Sequence, residues 1–145
     1  MAEKSSKKAQ DRARMIALYE NLGEFYGRSL SFITGIYLNL AKSDLLMQDA
    51  GKDNKKYEQT SKMLSEVTLL MKEGESSKQI NEIEVEELKK GKPLSEFNYQ
   101  EAEEANRSYV RATMVTADKA SKVLNDTSKL RIGIVSSMNK KARAK

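Results

Sequence analysis

Apolar residues recur in the first third of the chain at Met15, Tyr19, Leu22, Tyr26, Ile33, Tyr37 and Leu40, in steps of three, four and seven. That spacing puts them on one face of a helix. Phe25, Leu30, Phe32, Ile36, Leu38, Leu45 and Leu46 widen the face until, from Leu22 to Leu46, the helix is apolar around most of its circumference. Such a helix has to be covered on more than one side. Ser5 or Ser6 is the predicted cap, which gives a long first helix over 6–48. Gly23, Gly27, Ser31 and Gly35 form a separate row at a spacing of four. Each glycine inside a helix costs about 0.5–1 kcal/mol relative to alanine. The row reads either as a weakened, kinked helix or, our preference, as a ridge that lets another helix approach closely.

Asp49-Ala50-Gly51 reads as the end of this helix, and Asp53 or Asn54 can cap the next, over 55–73. Gly74 is expected to stop that second helix, with Glu75 to Gln79 as a polar connection. Residues 80–90 suit a short helix, although the alternation Ile83-Glu84-Val85-Glu86 also fits a short strand. Gly91-Lys92-Pro93 breaks the chain, and Ser95 is the predicted cap of a long final helix over 96–140. Its apolar seam runs through Ala102, Ala105, Tyr109, Ala112, Ala117, Ala120, Leu124, Thr127, Leu130, Ile134 and Met138. Small residues fill the first half and large aliphatics the second, as in a coiled-coil stripe.

These elements predict an all-α fold: a long antiparallel helical hairpin, coiled-coil-like, with short middle helices. The chain is expected to be one helical domain, 1–145, with a variable middle segment over 50–95. A two-helix rod covers little, so the terminal helices should keep more apolar surface than they bury on each other. Self-assembly or a stable partner is therefore expected. The expected assembly interface is Leu22, Gly23, Gly27, Phe32, Ile33, Gly35, Ile36 and Leu40 on the first helix and Leu124, Leu130, Ile134 and Met138 on the last. Gly27→Leu or Ile134→Asp should block assembly while the monomer stays helical.

Composition narrows the function. Hydrophobic residues are 39% and charged residues 32% of the chain, too apolar for disorder and too charged for a membrane protein. There is no cysteine and no histidine, which excludes disulfides, cysteine nucleophiles and thiolate metal sites. The acidic groups around Glu82–Glu87 and Glu101–Glu104 lack metal-loop spacing and read as solvated helix faces. No enzyme activity, cofactor, metal or small-molecule substrate is expected. The opening Met1 to Lys8 is polar, and the longest uncharged run, Ser29 to Ala41, is too short to span a membrane. Neither a secretory signal nor a transmembrane segment is expected. The net charge of +5 sits at the ends of the chain: residues 1–14 carry +3 and residues 129–145 carry +6. Lys7, Lys8, Arg12 and Arg14 form one basic group, and Lys140, Lys141, Arg143 and Lys145 the other. In an antiparallel hairpin the two would meet at one end. They serve solubility and the helix dipole, or they contact something anionic: nucleic acid, a membrane surface or an acidic face of a neighbouring copy.

The segment Leu18-Tyr19-Glu20-Asn21-Leu22-Gly23-Glu24-Phe25, the apolar stretch after it and Ser43-Asp44-Leu45 resemble the type III secretion translocation-filament family, the EspA/SseB-like group. Lys62-Met63-Leu64, the acidic Glu84–Leu88 patch and the long last helix follow in a similar order. The resemblance implies a subunit exported through a type III apparatus, outside the general secretory route, to the cell surface. There it would polymerise into a hollow filament that conducts effectors. It implies a coiled coil of the terminal helices and a secretion chaperone that covers the apolar stripes before export. The residues alone leave two other readings open. One is a coat or nucleoprotein wrapping nucleic acid in a virion; the other is a cytoplasmic coiled-coil adaptor or chaperone.

Overall fold

A computed structural model describes residues 2–48 and 55–144; for residues 2–5, 129–131, 134, 137 and 141–144 it describes the backbone alone. Three long helices account for nearly all of it: α1 Ala2–Gln48, α2 Lys55–Lys90 and α3 Tyr99–Ala144, with a 3-10 turn at Leu94–Glu96. The all-α expectation holds. α1 begins before the serines expected to cap it, because Ala2-Glu3-Lys4 are themselves good helix formers. The end expected at Asp49–Gly51, and the caps expected at Asp53 or Asn54, lie outside the described residues.

The middle segment differs from expectation. Instead of two short pieces, α2 runs unbroken through Gly74 and through Ile83–Glu86. One glycine costs about 1 kcal/mol in a helix, and packing on both sides of it outweighs that. The α2 C-terminus is where the chain turns. Gly91 has a φ of +100°, and the Gly91 and Lys92 amides donate to the Leu88 and Glu87 carbonyls at 3.3 and 3.1 Å. This is a Schellman stop, built on the one position here that demands glycine. Pro93 then leads into the 3-10 turn, which contains Ser95. Asn98 is the cap of α3 in its place. Its Oδ1 accepts from the Glu101 amide at 3.2 Å, and Glu101 puts an acid in the first turn, where the helix dipole favours it.

Along each helix the buried positions recur every seventh residue: Tyr19, Tyr26, Ile33, Leu40 and Met47 on α1; Thr60, Val67, Gly74, Asn81 and Leu88 on α2; Asn106, Thr113, Ala120 and Thr127 on α3. This is heptad packing of three helices rather than two. Two compact units share them: Met1–Ser31 with Lys72–Ala112, and Phe32–Met71 with Thr113–Lys145.

In the first unit, Tyr19, Leu22 and Leu88 form the buried centre, with Met15, Ile16, Val85, Phe97 and Tyr99 against it. The Tyr19 ring meets Phe97 and Tyr99 edge-on, each with centroids 5.8 Å apart. Tyr26 lies 5.6 Å from Tyr109. Pairs along α1 and α3 (Tyr19 with Tyr99, Tyr26 with Tyr109) rise together, so these helices run parallel here. Pairs along α1 and α2 (Arg12 with Leu88, Tyr19 with Asn81) run in opposition. An antiparallel hairpin is present, but α1 forms it with α2 and not with the last helix. Within this unit α2 runs back along α1 and returns the chain to start α3 in α1's direction.

In the second unit the buried apolar residues are Ile33, Leu40 and Met47 on α1, Met63, Val67 and Leu70 on α2, and the small Ala117 and Ala120 on α3. Four hydroxyls are buried there: Ser43, Thr60, Thr113 and Thr127. Three of them donate to a carbonyl four residues back in their own helix, at 2.9–3.0 Å: Ser43 to Asn39, Thr60 to Lys56 and Thr127 to Val123. Satisfied in this way, a hydroxyl can take an interior position at little cost.

Candidate assembly surface

The third helix changes which apolar residues are available to a partner. Leu22, Ile33 and Leu40, expected at an assembly interface, are at most 4% exposed inside the chain's own packing. They cannot meet another copy, because α2 and α3 together cover what a hairpin would have left bare. Phe32 is 56% exposed and Met138 is 53% exposed, whereas Ile36 and Leu124 are half-buried. The side chains of Leu130 and Ile134 lie outside the described residues.

The glycine row separates in a similar way. A Cβ at Gly23 would stand 2.6 Å from Asn81 Oδ1, so α1 and α2 do approach closely there. Gly27 and Gly35 have nothing within 4 Å of that position. The glycine that most clearly admits a neighbour is Gly74, taken from the sequence as a helix stop. A Cβ there would overlap the Tyr109 hydroxyl and lie 2.8 Å from Leu30 Cδ2.

Two buried amides complete the first unit, and the hydrophobic pattern gave no sign of either. Asn81 Nδ2 donates to the Tyr19 carbonyl at 3.0 Å, and Asn106 Nδ2 to the Leu22 carbonyl at 3.3 Å. Asn106 and Ser77 also hydrogen-bond the Tyr26 side chain, while burial pushes its hydroxyl pKa up. Amides placed this way fix the register of α2 and α3 on α1.

Of the basic residues, Lys7, Lys8 and Arg14 are exposed in the first unit and Lys140 is exposed in the second. Lys141, Arg143 and Lys145 lie outside the described side chains. Arg12 is otherwise engaged: its Nη1 donates to the Leu88 carbonyl at 2.8 Å and the Lys92 carbonyl at 2.9 Å. It caps the negative end of α2 from α1. The meeting of the two basic groups expected from a hairpin of the terminal helices loses its premise.

Three grooves open on the first unit. Between α2 and α3 a cleft of about 410 Å³ is lined by Tyr19, Glu84, Glu87, Glu96, Glu101 and Lys92, among others. Burial, then Glu87, raises the Glu84 carboxyl above its ordinary value, with Glu101 adding to the rise and Lys92 opposing it. Burial and then Glu84 push the Tyr19 hydroxyl up. Lys92 bonds Glu87 at 3.0 Å, reaches Glu96 at 3.9 Å and lies 5.6 Å from the Phe97 ring centroid. The ammonium therefore ties the turn after α2 to the acidic rim, a structural clamp. Among the described residues no group of acids is placed to hold a metal ion, and no helix is long and apolar enough to cross a membrane. Between α1 and α2 a groove of about 780 Å³ passes Gly23, Gly27, Glu24, Glu82 and Lys89. Between α1 and α3 a third groove of about 380 Å³ is lined by Leu22, Phe25, Tyr99 and Val110 beside Glu103, Arg107 and Arg111.

Large apolar side chains remain exposed to water among the described residues. In the first unit they are Leu18, Phe25, Ile80 and Ile83; in the second, Phe32, Leu38, Leu45, Leu69, Met114, Val115, Ile132, Val135 and Met138. No protein family, curated protein or solved structure matches the chain.

Proposed function

We propose that this chain is a non-catalytic structural subunit that assembles with copies of itself into a helical polymer. The observation supporting the reading is the set of large apolar side chains left in water by a fully formed three-helix packing, above all Phe25 at 42% and Phe32 at 56% exposure on α1. Covering a fully exposed ring is worth about 1.5–3 kcal/mol, and these rings, already about half covered, each gain about half of that on assembly. Exposed apolar side chains that gather into a patch are characteristic of an interface.

The specific form, a secreted type III filament that conducts protein substrates outside the cell, is supported by the resemblance of Leu18–Phe25 and the helix after it. In that form a secretion chaperone covers Phe25 and Phe32 until export.

Negative-stain microscopy of the purified chain, read beside its ultraviolet absorbance ratio, tests the proposal. Filaments free of nucleic acid that persist in high salt are expected, since apolar contacts are little screened. Nucleic acid that co-purifies and is released steeply as salt rises would assign the chain to a nucleoprotein instead. Small closed particles would assign it to an adaptor, because closed contacts do not propagate.

A further inference from the structure

The groove between α1 and α3 of the first unit pairs an apolar floor with a patterned rim. Phe25 stands in it, 42% exposed, beside the buried Leu22. The α3 rim carries Glu103, Arg107 and Arg111, each four residues after the last and so on one ridge. Glu103 and Arg107 form an ion pair within the helix. Arg111 has Arg107 one turn before it and Val115 one turn after, so its own helix offers it no acid at that spacing. The ridge is thus acidic at one end and basic at the other.

We propose that this groove docks the same groove of a second copy. A two-fold axis at the level of Arg107 sets the two α3 helices antiparallel. The inference rests on the assembly reading above and names one of its contacts; a two-fold contact closes on itself, so the polymer extends through a second, different contact. An isologous interface has to be self-complementary, and this rim is self-complementary in one direction only. Run antiparallel about Arg107, it brings Arg111 of each copy against Glu103 of the other and leaves the two Arg107 side chains at the axis, each paired with the Glu103 of its own helix. Run parallel in register, it sets like charges side by side. Phe25 of each copy then enters the other's groove and leaves water.

Charge exchange tests the geometry. Light scattering on full-length protein over a concentration series gives the association constant of four chains: wild type, Glu103→Arg, Arg111→Glu and the double variant. Far-ultraviolet circular dichroism checks that each is folded. Either single change faces like charges across the axis and is expected to weaken association about tenfold or more. The double change restores opposite charges between copies and leaves Arg107 an acid one turn away, so association is expected to return to the wild-type constant. Phe25→Ser is expected to weaken it whatever the charges.

If both single variants weaken association and the double variant does not recover, this two-fold is overturned. If wild type assembles and all variants assemble equally well, the groove is overturned as the contact while the assembly reading stands. A wild-type chain that stays monomeric at every concentration overturns both.

Discussion

The sharpest intramolecular prediction concerns glycine in the middle of a helix. Gly27, Gly35 and Gly74 all interrupt good helical sequence, and alanine at any of them gains up to about 1 kcal/mol in helix propensity. Their surroundings decide the sign of the net effect. Gly27 and Gly35 have open space where a Cβ would be, so Gly27→Ala and Gly35→Ala should each stabilise by about 0.5–1 kcal/mol. At Gly74 the Cβ would overlap the Tyr109 hydroxyl and press on Leu30. Tyr109 is 7% exposed and packs on Tyr26, so it has little room to retreat. Overpacking costs about 1–3 kcal/mol, and disturbing the aromatic pair about 0.5–1.5 more. Against the propensity gain, Gly74→Ala should lose about 0.5–3.5 kcal/mol, or about 2–11 °C in Tm for a chain of this size. Urea unfolding followed by circular dichroism reads the loss as a lower midpoint at unchanged slope. Tyr109→Phe removes the nearest atom, so Gly74→Ala should cost less in that background, a coupling measurable by a double-mutant cycle. If Gly74→Ala is as stable as Gly27→Ala, the close approach at this point of the three-helix packing is wrong.

Two further predictions concern the first unit. Arg12→Met keeps the side-chain stem but removes two charge-assisted bonds to the last carbonyls of α2, which should cost about 1.5–3 kcal/mol in the urea midpoint, and Arg12→Lys should recover only part of it. Glu84 titrates above the ordinary value of 4.5 in the fold, so the native state binds its proton more tightly than the unfolded chain. Its contribution to stability is fully present below pH 4.5 and is lost as pH rises through the folded value. Glu84→Gln should therefore flatten that fall and leave the chain more stable than wild type at neutral pH, read from urea midpoints across a pH series.

How much of this could be read from the sequence depends on what each interior position is made of. The interior row of α1 is Tyr19, Tyr26, Ile33, Leu40 and Met47, and an all-apolar row announces itself. The stop at Gly91-Lys92-Pro93 was equally plain, since positive φ and a missing amide each leave a mark on composition. On α2 the corresponding row is Thr60, Val67, Gly74, Asn81 and Leu88. Three of those five residues carry no hydrophobic signal, so the helix looked like two fragments with a polar joint. Thr60 is silent because it satisfies its hydroxyl on its own backbone, Gly74 because its use is to make room for Tyr109, and Asn81 because its partner is a carbonyl on another helix. Such positions acquire meaning only once the neighbour is in place. Missing the third helix also misassigned α1, for Leu22, Ile33 and Leu40 were expected to need a partner they already have, while Phe25 and Phe32 keep their exposure. The candidate surface was thus legible as a surplus of apolar residues on α1, but not as to which side chains made up the surplus.

Sedimentation velocity of the purified full-length chain, across a wide concentration series, tests the proposed function most directly. Species that grow without a fixed limit as concentration rises are expected, with a shift back toward the single chain when Phe25 and Phe32 are both changed to serine. One sharp boundary at the mass of a single chain of 16.4 kDa, unchanged at every concentration and by those two substitutions, would contradict it.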